Sequence, residues 1–130
     1  MAKILIVEDN ALNIKLFCDL LAAHGHEPEA VTDSRNALDA ARNFSPDLVI
    51  TDIQLPHVSG LDLIRMIRGD EQLAGVPIMA VTAYSARGDE ERIRAAGAQA
   101  YVSKPISVMK FAQTVEQLLA GEYESAPQAG

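Results

Sequence analysis

Leu48-Val49-Ile50-Thr51-Asp52-Ile53-Gln54-Leu55-Pro56 decides the fold of this 130-residue chain. Leu48, Val49, Ile50 and Ile53 read as a strand covered on both faces, as in a parallel sheet between helices. The run meets one carboxylate, Asp52, and then turns at Pro56. Open α/β sheets bind ligands outside the carboxyl ends of their strands. Asp52 is therefore a site candidate, with a turn-capping aspartate as the plain alternative.

Upstream, Lys3–Val7 reads as a first buried strand, closed by Glu8 and Asp9. Asn10 can cap a helix in which Leu12, Leu16, Phe17, Leu20 and Leu21 recur at helical spacing, with Gly25 as its stop. Glu27–Val31 reads as a weaker second strand. Asp33 or Ser34 caps a helix carrying Ala37, Leu38, Ala41 and Phe44, which Ser45-Pro46 breaks.

Downstream, Ser59 caps a third helix with Leu61, Ile64 and Ile67 inward, and residues 69–75 form a polar loop. Residues 77–82 are a fourth strand ending at Thr82. Residues 85–97 are charged and weakly amphipathic, which predicts a loosely held fourth helix resting on Ile93 and Ala96. Ala100–Ser103 is a short fifth strand before Lys104-Pro105. Ser107 caps a last helix with Val108, Phe111, Val115, Leu118 and Leu119 inward, and Gly121 ends it. Five strands alternate with five helices, which predicts right-handed βαβ units in one domain over residues 1–121, then a flexible tail over 122–130.

A net charge of −7 and a pI near 4.8 argue against a general binder of nucleic acid or anionic membranes. Cys18 is the one cysteine, so no internal disulfide can form, and it reads as a core residue suited to a reducing cytosol. His24, His26 and His57 have no metal-ligand spacing. No signal peptide and no apolar run long enough to span a membrane is visible.

In a parallel sheet the groups at the strand ends gather at one edge. With strand order 2-1-3-4-5, the first and third strands are neighbours, and Glu8, Asp9 and Asp52 converge. Three close carboxylates repel unless a cation intervenes, and an oxygen site of this kind suits Mg²⁺. With Lys104 and Thr82 beside it, such a site can hold a phosphoryl group, and Asp52 becomes a nucleophile able to form an aspartyl phosphate. Strand-end caps and a surface lysine are the bland reading. Four suitable strand ends occurring together count against it.

Val7-Glu8-Asp9-Asn10, residues 52–56 with Ser59-Gly60, Thr82-Ala83 and Lys104-Pro105 together resemble the receiver domain of two-component response regulators (CheY-like) across nearly the whole chain. Residues 88–94 and 101–107 carry a closer likeness to single-domain regulators of cell division within that family. The resemblance implies a flavodoxin-like (βα)5 fold and phosphorylation of Asp52 by a histidine kinase or a histidine phosphotransfer protein. It implies Mg²⁺, with Mn²⁺ as a substitute, held by Glu8, Asp9, Asp52 and the backbone carbonyl of Gln54. Thr82 and Tyr101 correspond to the family's switch pair. The face made by the fourth helix, fifth strand and fifth helix would meet protein targets. The resemblance further implies a cis bond at Lys104-Pro105, a bacterial cytoplasmic location with recruitment to a cell pole by partner kinases, and a role in cell-cycle control. Glu8 stands where aspartate is commoner, and its longer arm is expected to reach the metal through water. Gln54 and Tyr84, each two residues after a strand-end group, can flank the path of a hydrolytic water and so modulate the life of the phosphoryl group; Tyr84, bulky and largely apolar, is expected to lengthen it.

Three other readings compete. A haloacid-dehalogenase-like phosphatase would need a second aspartate two residues after Asp52, where this chain has Gln54. A flavin-binding module would need a phosphate-cradling loop after the first strand, where Glu8-Asp9-Asn10 is acidic. A scaffold that had lost the chemistry would not retain the full residue set.

Overall fold

The computed structural model describes residues 2–83 and 89–121, and in it five parallel strands form one sheet in the order 2-1-3-4-5. The strands are β1 (Lys3–Val7), β2 (Glu27–Val31), β3 (Leu48–Asp52), β4 (Ile78–Thr82) and β5 (Ala100–Ser103). The helices between and after them are α1 (Ala11–Ala23), α2 (Ala37–Phe44), α3 (Gly60–Arg68), α4 (Asp89–Ala96) and α5 (Val108–Leu119). This is the flavodoxin-like fold that the alternation of strands and helices predicts. The beginning of the fourth helix predicted from residue 85, and the tail over 122–130, lie outside the described residues.

Every residue of β3 and β4 is buried, as central strands covered on both faces require. Side chains alternate between two cores. Leu5, Val7, Val49, Ile78 and Ala80 face the side where Ala37, Ala41, Leu63, Ile64, Ile67 and Ile93 pack from α2, α3 and α4. Ile4, Ile6, Leu48, Ile50, Met79 and Val81 face α1 and α5, where the Phe17 and Phe111 rings stack with centroids 5.1 Å apart. Cys18 is half-buried against this second core, and burial raises its thiol pKa, so it behaves as packing rather than as a nucleophile. At the sheet edge, β2 offers Glu27, Pro28 and Glu29, residues that discourage pairing with another strand.

Local chemistry sets the helix ends. Asn10, Ser59 and Ser107 each accept a backbone N–H three residues on. Asp33 caps a single 3₁₀ turn, Ser34–Asn36, which leads into α2. Ser45 leaves α2 at φ 53° because Pro46 disfavours the right-handed helical region for the residue before it.

The predicted inward faces need four corrections. Leu12 is 79% exposed and Leu16 is also exposed, because the buried stripe of α1 centres on Phe17 and Leu21. Leu12 lies about 140° round the helix from Phe17. Val108, the first residue of α5, is 49% exposed. In α3, Leu63 is fully buried and Leu61 only half so. The loop over residues 69–75 is not wholly polar in role: Leu73 N–H donates to Asp70 O at 3.1 Å, a turn that folds the Leu73 side chain back into the first core.

Candidate functional site

The register creates the site. Ile4 to Val7 pair in parallel with Leu48 to Thr51, so the next residues, Glu8 and Asp52, leave the sheet side by side. With Asp9 they offer carboxylate oxygens that all lie within 4.8 Å of one another. Glu8 and Asp52 are buried, whereas Asp9 is exposed at the rim.

Lys104 reaches in from the end of β5. Its Nζ donates to Asp52 Oδ2 at 2.9 Å and stands 3.7 Å from Glu8 Oε1. Lys104 N–H donates to Thr82 O at 2.7 Å, which extends the β4–β5 pairing by one residue and brings Lys104 to the carboxyl edge of the sheet. The Lys104–Pro105 bond is cis, as the resemblance implies. Among the described residues, three carboxylates against one ammonium leave about two uncompensated negative charges when all are ionised, the deficit that one divalent cation fills.

Glu8 carries the stress of this arrangement. Oε1 accepts from Asn13 Nδ2 at 3.0 Å, while Oε2 is buried with no hydrogen-bond partner among the described residues. Burial pushes the Glu8 pKa up to about 7; Asn13 draws it down, the adjacent Asp52 raises it further and Lys104 lowers it. A buried, unsatisfied carboxylate oxygen costs free energy unless it meets a proton or a cation. The donor set, all oxygen with Oε2 free to ligate, fits a hard divalent cation.

The loop after Asp52 is tied at its base. Gln54 N–H donates to Asp52 Oδ1 at 3.1 Å and Gly60 N–H to Ile53 O at 2.9 Å. The Gln54 side chain is exposed at the rim. Thr82 ends β4 fully buried. Tyr101 pairs with Ala80 on the neighbouring strand and packs, half-buried, against the first core. Thr82 and Tyr101 thus share the face of the sheet that α4 covers. Tyr84 lies outside the described residues. Sequence reasoning missed two residues. Asn13, three positions after the Asn10 cap and hence one turn above it, holds Glu8, and that spacing was the available signal. Ser34, read only as one of two candidate caps, is buried against the loop after Asp52, and no local pattern marks it.

Residues 4–116 match the family model of the response regulator receiver domain. The chain therefore belongs to the response regulator receiver domain family, and it is a receiver module rather than a turnover enzyme. Among curated relatives, the polar-differentiation response regulator DivK of Brucella ovis is 51% identical over 116 residues, which cover 89% of this chain and 94% of that protein. Two solved receiver domains of histidine kinases are each 30% identical to this chain. The one from Syntrophus aciditrophicus superposes with a TM-score of 0.86 over 100% of both chains. The other, from Pseudomonas aeruginosa, has magnesium coordinated in its active-site cleft and a TM-score of 0.84 over 92% of this chain and 98% of its own. Among the described residues, no helix is long and apolar enough to cross a membrane.

Proposed function

We propose that this chain is a DivK-like response regulator that takes a phosphoryl group on Asp52 from a histidine kinase or histidine phosphotransfer protein, with Mg²⁺ bound. The 2.9 Å contact between Lys104 Nζ and Asp52 Oδ2, set beside the unsatisfied Glu8 Oε2, carries the reading. Glu8, Asp9, Asp52 and the carbonyl of Gln54 would hold the metal. When bound, Mg²⁺ supplies charge neutralisation for the incoming phosphoryl oxygens. An Asp52 oxygen attacks phosphorus as the P–N bond of phosphohistidine breaks, and the bonding pair leaves on the imidazole nitrogen. Lys104, already on Asp52, turns its ammonium to the new phosphoryl group, and the Thr82 hydroxyl takes another of its oxygens. Thr82 and Tyr101 then act as the switch that alters the α4–β5–α5 face, where target proteins bind. The likeness to DivK supports a cytoplasmic role in cell-division or polar-differentiation control.

Beryllofluoride tests this reading, because it occupies a phosphoacceptor site without a donor. With Mg²⁺ present, amide resonances of Asp52, Thr82, Lys104 and α4 should shift in slow exchange, and omission of Mg²⁺ should abolish the shifts. Shifts unaffected by Mg²⁺ or by Asp52→Asn would contradict it.

A further inference from the structure

We infer that the Ser34 hydroxyl is a positioning residue for the metal site, acting through the loop that carries the Gln54 carbonyl. The inference rests on the metal-binding reading above. Ser34 lies in the 3₁₀ turn after β2, in a different segment from any residue assigned to the site, and is 3% exposed. Its hydroxyl uses both of its capacities on one short stretch. Oγ donates to Pro56 O at 2.7 Å and accepts Val58 N–H at 3.1 Å. Between those two anchor points the loop makes a γ-turn: Val58 N–H also reaches Pro56 O at 2.9 Å, and His57 sits at φ +70°.

A γ-turn with positive φ is strained for a residue with a side chain, and such a conformation persists only where its surroundings over-determine it. Here the base of the loop is fixed by Gln54 on Asp52 and by Gly60 on Ile53. Leu55 and Val58 pack half-buried against the first core, but apolar contact does not set the direction of a carbonyl. Ser34 is the directional restraint at the far end. With both ends held, the peptide units from 54 to 56 have little freedom to rotate, and the Gln54 carbonyl, a metal ligand in the reading above, is held to one orientation. Without the hydroxyl, the γ-turn can relax and that orientation becomes one of several.

The test is the Mg²⁺ affinity of the full chain by titration calorimetry, at a temperature where every variant is folded by circular dichroism. Outer-shell partners of a metal site typically contribute 10–100-fold to affinity. Ser34→Ala should therefore weaken Mg²⁺ binding about tenfold. Ser34→Cys fills the site with a slightly larger atom, loses most of the hydrogen-bonding strength, and should fall in the same range; it serves if the alanine variant does not fold. Mg²⁺ affinity within twofold of wild type in a folded variant, whatever its melting temperature, would overturn the inference, because a purely structural hydroxyl moves stability alone. A wild-type chain that binds no Mg²⁺ would overturn the metal reading and this inference together.

Discussion

Gly60→Ala should destabilise the protein by about 3 kcal/mol or more, the range for overpacking against a backbone that cannot yield. A Cβ at position 60 would press on the carbonyl oxygen of Asp52 and lie 2.6 Å from Ile53 Cα. Both are backbone atoms at the end of β3, so no side chain can swing aside to relieve the clash. Relief requires α3 to retreat from the sheet or β3 to move, and either breaks the Gly60 N–H bond to Ile53 O. The damage falls on Asp52 itself, so Mg²⁺ binding should fall with stability. Gly69→Ala is the control. Its Cβ would meet Arg65 O at 3.5 Å, an ordinary contact, and its stability should change by no more than about 1 kcal/mol. Denaturant midpoints for the two variants check this. A Gly60→Ala protein as stable as wild type would show that the close approach is not enforced.

Glu8→Gln should raise the stability of the metal-free protein at pH 8 and remove most of the stabilisation that Mg²⁺ gives. In the folded chain Glu8 titrates near 7, above an ordinary glutamate, chiefly through burial. The folded state therefore holds a proton more tightly than the unfolded state does. That contribution is complete below the ordinary glutamate value of 4.5 and is lost as pH rises through about 7. The melting temperature of metal-free wild type should fall between pH 5 and 8, and millimolar Mg²⁺ should restore it at pH 8. Glutamine keeps the shape and a donor–acceptor pair but carries no charge, so its metal-free profile should be flatter. Asp33 cannot imitate the effect. Its hydrogen bonds from Arg35 hold its pKa near 2, so its contribution is lost only as pH falls through that value. Melting curves across pH, with and without Mg²⁺, decide the matter. A wild-type profile that stays level from pH 5 to 8 would contradict it.

Much of this architecture was legible in the chain because its signals are local. A run such as Leu48 to Ile50 has one comfortable environment, a strand covered on both faces, and β3 is buried along its whole length. The meeting of Glu8 with Asp52 followed from topology, since parallel order 2-1-3-4-5 makes β1 and β3 neighbours and their ends coincide. What was not legible depends on distance along the chain or on the rotation of a helix. Leu12 fits a helical period but sits on the flank of the stripe that Phe17 defines. Leu73 is one apolar residue in a polar loop, and only the turn to Asp70 brings it inward. Ser34 lies 22 positions from Pro56, and nothing in the sequence ties the two. Asn13 looked like an ordinary helix residue until the fold placed Glu8 beside it.

The intact mass of the protein after incubation with acetyl phosphate tests the central claim most directly. Wild type with Mg²⁺ should gain the mass of one phosphoryl group, in a hydroxylamine-labile form characteristic of an acyl phosphate. Wild type with a chelator, and Asp52→Asn with Mg²⁺, should gain nothing. An adduct on Asp52→Asn, or one formed equally without a divalent cation, would contradict the assignment of Asp52 as the metal-dependent phosphoacceptor.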